Sequence, residues 1–244
     1  MTTDQFIALG ASVGACLSAV ATLWTVRQMA RQREASYKPE LALSRTFFRS
    51  VADPLAKGSL PVWWTEPEGI GSEPAVARRP FTVPLRNIGL GTAKKVEVSW
   101  SFQIADMVET ANQLAQRSLT PAYFSYEAGA LHLDSDSVGR SVSMWQNQQH
   151  DSIDYVMPAA VESKPVLLRV PHAYIQLVSA LIFFAAKDKG RKAFPDIPAL
   201  SLKLEYRDIG DQKHGAGFEV GCELGAFTGE GEILSGSLEF TKAV

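Results

Sequence analysis

Cysteine is scarce in this chain, with two in 244 residues. Cys16 lies in an apolar run and Cys222 in the last quarter, so no disulfide framework organises the fold. That usage agrees with a reducing compartment. The four histidines, His132, His150, His172 and His214, have neither metal-ligand spacing nor a neighbouring cysteine. Asp134 to Gly139 begins like a calcium loop, but Val138 stands at its fifth position and Trp145 at its twelfth, where Glu is needed. It reads as a polar turn. Gly225 to Gly236 is glycine-rich yet lacks the Lys-Ser/Thr pair of a phosphate loop. A Gly-x-Ser-x-Gly elbow is missing, and no carboxylate pair can be singled out for acid–base work. No catalytic, metal or cofactor residue is therefore expected. A net charge of −2 gives no global basic field for nucleic acid. None of Asn87, Asn112 and Asn147 begins a glycosylation sequon.

Charge is also missing from Phe6 to Val26, and this absence is informative. At the helical rise the run reaches roughly 31 Å, about the hydrocarbon thickness of a bilayer. Only a helix can cross there, because each backbone N–H and C=O must be satisfied without water. Asp4 is the single charged side chain before the run, while Arg27, Arg31, Arg33, Lys38, Arg45 and Arg49 follow it. Lys and Arg stay on the cytoplasmic side, so the expected topology is a single-pass inner-membrane protein with its C-terminal domain in the cytoplasm. A cleaved signal peptide would need the opposite charge order and a small-residue cleavage site. Residues 1–26 are read as the anchor, 27–39 as a basic juxtamembrane helix and linker, and 40–244 as the cytoplasmic domain.

One side of the span carries Gly10, Gly14, Ser18 and Ala21, a small-xxx-small pattern. Small residues let two backbones approach closely in lipid, so this face is expected to pack on another helix, from a second copy or another membrane protein.

The remaining chain reads as mainly β. Leu41, Leu43, Phe47 and Phe48 suggest a first strand. Asp53 to Pro80 reads as a long Pro/Gly-rich loop, with Trp63 and Trp64 in it as a possible partner contact or a cover for a sheet edge. Phe81, Val83 and Leu85 alternate with polar residues, and Pro84 marks that strand as an edge or a bulge. Asn87-Ile88-Gly89-Leu90-Gly91 makes a turn in which Asn and Gly can supply positive φ. Val96, Val98, Trp100 and Phe102 then form a half-buried strand. Ile104 to Ala115 has one apolar helical face, and His172 to Ala186 is a second helix, apolar nearly all round. That second helix is expected in the core, or else docking on membrane or partner. Short strands are expected at 123–126, 131–133, 153–157 and 166–170, a hairpin from Leu200 to Leu224 about a turn at 208–211, and a last strand at Leu238 and Phe240. The pattern predicts an antiparallel β-sandwich with two helical insertions, an α+β domain behind a transmembrane helix.

The Asn87-x-Gly89-x-Gly91-x-Ala93 core between Pro84 and Trp100 resembles the strand–turn–strand of immunoglobulin-like sandwich domains. The layout as a whole, with Leu204 to Gly210 as a strand end, resembles uncharacterised bacterial proteins with one N-terminal span and a cytoplasmic β domain. The resemblance implies fold and location, not activity. The expected role is binding or assembly, holding a partner at the cytoplasmic membrane face. A small-molecule sensor acting through pairing of the spans and a membrane-bound hydrolase are the alternatives.

Overall fold

A computed structural model describes residues 3–52, 60–67, 79–136, 139–188, 196–228 and 233–243, without the side chains of residues 4–9, 11, 33–36, 226–228 and 233. Helix α1 runs unbroken from Thr3 to Ser36. Every side chain from Ser12 to Gln32 on it is exposed. Its hydroxyls fold back: Thr22 Oγ1 donates to the Ser18 carbonyl at 2.8 Å and Thr25 Oγ1 to that of Ala21 at 2.9 Å. Among the described residues no helix is long and apolar enough to cross a membrane.

The domain that follows is built of antiparallel sheets. The largest has seven strands. It comprises β2 (Thr46–Val51), β3 (Trp63–Thr65), β5 (Ala93–Ser101), β9 (His150–Val156), β11 (Leu200–Arg207), β12 (Lys213–Thr228) and β13 (Ile233–Lys242). Their spatial order is β3-β2-β13-β12-β11-β5-β9. A three-stranded sheet has β4 (Thr82–Asn87) between β1 (Leu41–Leu43) and β10 (Val166–Arg169). A third joins β6 (Ala122–Glu127), β7 (Ala130–Ser135) and β8 (Gly139–Ser143). Helices α2 (Ile104–Arg117) and α3 (His172–Lys187) are the two insertions.

Alternation explains the large sheet. In β11, Leu200, Leu202, Leu204 and Tyr206 are buried while Ser201, Lys203 and Glu205 face water. The expected hairpin is present, with Leu204 opposite Ala216 and Arg207 opposite Lys213. β12 pairs with β13 from Phe218 to Thr228, and residues 229–232 of the glycine-rich segment lie outside the described residues. Gly236 is required by packing. A Cβ there would sit 2.5 Å from the Glu223 carbonyl oxygen and 2.8 Å from Phe48 Cζ.

Several expectations are corrected. The first strand is two: β1 and β2 belong to different sheets, parted at Ser44 and Arg45. β4 and β5 are likewise in different sheets, so the Asn-Gly segment is a crossover and not a hairpin turn. Pro84 sits in the central strand of its sheet. However, β1 ends with Leu43 opposite Leu85, so at Pro84 the strand has a neighbour on one side only, where a residue without an N–H is tolerated. Trp63 and Trp64 form strand β3, paired with β2, and most of the surrounding 53–80 segment lies outside the described residues. Strand β8 has no signal in the apolar pattern, since Gly139–Ser143 carries one apolar residue, Val142, and that one is exposed.

The core is one cluster running from Leu41 to Leu238. Helix α3 lies within it, with Ala173 to Ala185 buried on every side, which settles its apolar circumference as core. α2 packs on α3 and on β6. It buries Ile104, Met107, Ala111, Leu114 and Ala115, the face its periodicity marks. Asn112 locks it to β6, donating to the Phe124 carbonyl and accepting from the Phe124 N–H, both at 2.8 Å.

At the start of α3, the His172 ring stacks on Trp63 at 4.2 Å, and burial drives its pKa down to about 4. The unfolded chain takes up this proton near pH 6.5 and the folded chain does not. The stabilising contribution is whole above pH 6.5 and is lost as pH falls towards 4. Denaturant midpoints measured between pH 7 and 4 should show a loss of about 3 kcal/mol from this residue. His172→Phe should flatten that part of the slope.

Candidate functional site

Hydrogen bonds gather on one side chain where the linker after α1 meets the β domain. Glu40 N–H donates to Asn87 Oδ1 at 3.0 Å, and Gly89 N–H donates to the same oxygen at 3.1 Å. Asn87 Nδ2 donates to the Gly91 carbonyl at 2.6 Å and to that of Val156 at 3.1 Å. All four hydrogen-bonding positions of a fully buried amide are filled, by the linker, the crossover and β9. The Ile88 N–H adds a bond to the Glu40 carbonyl at 2.8 Å.

The two glycines serve close approach. Neither Gly89 nor Gly91 has positive φ. A Cβ at Gly91 would collide with the Tyr37 carbonyl, and one at Gly89 with the backbone of Lys38 to Glu40. The Asn-x-Gly-x-Gly segment is therefore a socket for residues 37–40. Tyr206 closes it from β11, its hydroxyl donating to the Pro39 carbonyl at 3.3 Å.

Beside this socket opens a cavity of about 600 Å³. Its rim includes Lys38 and Glu40 from the linker, Tyr206 from β11, Lys213 and His214 from β12, and Lys242 from β13. His214 is held from behind, with Nε2 2.9 Å from Asp208 Oδ2 and its ring stacked on Tyr206 at 5.6 Å. Burial pushes the Asp208 carboxyl up, but hydrogen bonds from His214 and from the Gln212 N–H outweigh it and leave the group below its usual range. Burial, with the nearby Glu40 charge, raises the Tyr206 phenol.

A second cavity, of about 300 Å³, is lined by Trp100, His150, Asp151, Arg169 and His172 among others. Beside it, Ser99 Oγ lies 3.1 Å from His150 Nδ1. Asp151 turns its carboxylate to the Ser152 N–H at 2.8 Å, so it does not orient that imidazole as a triad requires. Burial pushes the Cys222 thiol up to about 12, which makes it a packing group and not a nucleophile. Among the described residues no group of His, Cys, Asp and Glu could hold a metal ion.

The residues singled out from sequence are placed as follows. Gly10, Gly14, Ser18 and Ala21 are exposed on α1, and a Cβ at Gly10 or Gly14 would meet nothing within 4 Å. Trp64 is buried, stacked on Phe48 at 3.9 Å, and its Nε1 donates to Ser179 Oγ at 2.9 Å. Trp63 is half-buried over His172. The pair thus packs within the domain at the end of its largest sheet. Sequence reasoning found the Asn-Gly segment but not its role. The cavity residues Lys38, Lys213, His214 and Lys242, scattered over three segments, carried no local signal.

Comparison with known protein families, curated proteins and solved structures finds no match to this chain.

Removing the Asn87 side chain should leave the Glu40 N–H and the Gly91 and Val156 carbonyls without their partners. Asn87→Ala is expected to cost about 3 kcal/mol in urea denaturation. Gly91→Ala should instead dislodge the linker from a folded domain, seen as several-fold faster chymotrypsin cleavage after Tyr37.

Proposed function

We propose that this chain is a membrane-anchored binding and assembly protein that holds a partner at the cytoplasmic membrane face. The observation that carries the reading is the exposure of α1. Leu17, Val20, Leu23 and Trp24 are each 65% exposed or more, with no domain surface covering them. Apolar side chains left bare in water are unfavourable, and lipid or another helix relieves that. Phe6 to Val26 lies in the bilayer, Arg27 and Arg31 mark its cytoplasmic side, and the open Gly10, Gly14, Ser18 and Ala21 face packs against a second span. The scaffold on this reading is an immunoglobulin-like sandwich. The passage of β4 to β5 from one sheet to another through Asn87–Ala93 supports it.

The sensor alternative is favoured by one specific feature. Lys38 and Glu40 belong both to the linker that follows α1 and to the rim of the larger cavity. Occupancy there can bear on the helix, and through it on pairing of the spans.

The test uses native membranes. Mild-detergent extraction followed by affinity purification should recover a second copy or a membrane partner, and Gly14→Ile should reduce that recovery at least several-fold. Protease added to intact spheroplasts should leave the domain uncut. Digestion of the domain, or release of the full chain by carbonate, would overturn the reading.

A further inference from the structure

We infer that the cavity at the base of α1 binds a small soluble anion bearing two or more phosphates. Three lysines line it from separate segments: Lys38 from the linker, Lys213 from β12 and Lys242 from β13. His214 adds an imidazole braced by Asp208. The carboxylate in the lining is Glu40, 4.0 Å from Lys242.

Several basic residues elsewhere on the sheet are neutralised by a carboxylate at close range. Arg45 is paired with Glu223 and Glu239 at 3.0 Å each, Lys203 with Glu205 at 2.5 Å, and Arg207 with Asp211 at 2.8 Å. Among the described residues Lys38 and Lys213 form no ion pair, and the field of Glu205 reaches Lys213 only at longer range. Ammonium groups around one concavity repel each other, and a multivalent anion converts that repulsion into attraction. Lysine binds phosphate as a point charge, whereas a single carboxylate is better met by the fork of arginine. The volume suits a ligand of nucleotide size.

The source is soluble and not a lipid headgroup. On the anchored reading α1 continues from Val26 to Ser36 before the cavity begins, about 15 Å along the axis. Lys38 and Glu40 are seated by Asn87 and Gly89, so the ligand touches the segment that carries the helix.

The experiment is calorimetric titration of the full chain in neutral detergent with pyrophosphate and, separately, ATP. Saturable binding that weakens at least tenfold in K38Q/K213Q/K242Q is expected. Lys203→Gln, on the same sheet but paired, should leave it unchanged. Bound pyrophosphate should also slow chymotrypsin cleavage after Tyr37 several-fold. All three positions are exposed, and an unchanged thermal midpoint confirms that the triple variant is folded. Equal binding by wild type and triple variant overturns the assignment. So does absence of saturable binding, or binding to vesicles containing acidic phospholipid without binding of either soluble probe. Because the titration needs no bilayer, it stands or falls separately from the membrane topology.

Discussion

The buried amide of Asn87 is the contact on which the rest of the molecule's organisation depends. It joins the linker at Glu40, the crossover at Gly89 and Gly91, and β9 at Val156. Each bond removes a backbone group from an interior where it would otherwise go unpaired, at a cost of about one to a few kcal/mol apiece. Aspartate in its place accepts but does not donate, and leucine of similar size does neither. The consequence is that α1 arrives at the domain in a fixed place, and that the rim of the larger cavity has a fixed edge.

Away from that junction the domain follows ordinary burial. Phe48 and Trp64 stack, Phe81 meets both edge-on, and Gly236 makes the room that the stack needs. Ser179 receives the Trp64 N–H inside the core, and Gln176, the other buried polar residue of α3, donates to Ser141 Oγ at 3.3 Å. The sheets are tied by side chains of this kind and by backbone ladders, and the wet face of β11 is left to charge.

Much of the fold is legible in the sequence because period-two and period-3.6 patterns are local. β11 and α2 carry them without interruption and β5 carries them from Val96 to Trp100, whereas its start at Ala93–Lys95 breaks the alternation. Sheet membership is not legible. β1 and β2 are parted at Ser44 and Arg45, and β4 from β5 by the crossover, yet each pair is split between sheets, a choice made by contacts from distant segments. The same limit applies to the site. Asn87, Gly89 and Gly91 stand out in sequence because turns favour those residues. Their actual constraint is the backbone at positions 37–40, far away in the chain. Trp63 and Trp64 suggest a loop contact because prolines and glycines surround them. β2, Ser179 and His172 turn them into a packed edge strand instead. Lysines produce no pattern at all until β12 and β13 bring Lys213 and Lys242 to the same rim as Lys38.

The length of α1 gives its seat a mechanical meaning. A rod of 34 residues is about 51 Å long, while the pivot that grips it is only a few residues wide. Against a socket of residues 37–40, roughly 13 Å long, leverage of about fourfold follows, so an ångström of slack there swings the far tip by roughly 4 Å. Tight clamping at the hinge is therefore the condition for the distal end to have any defined bearing relative to the β domain.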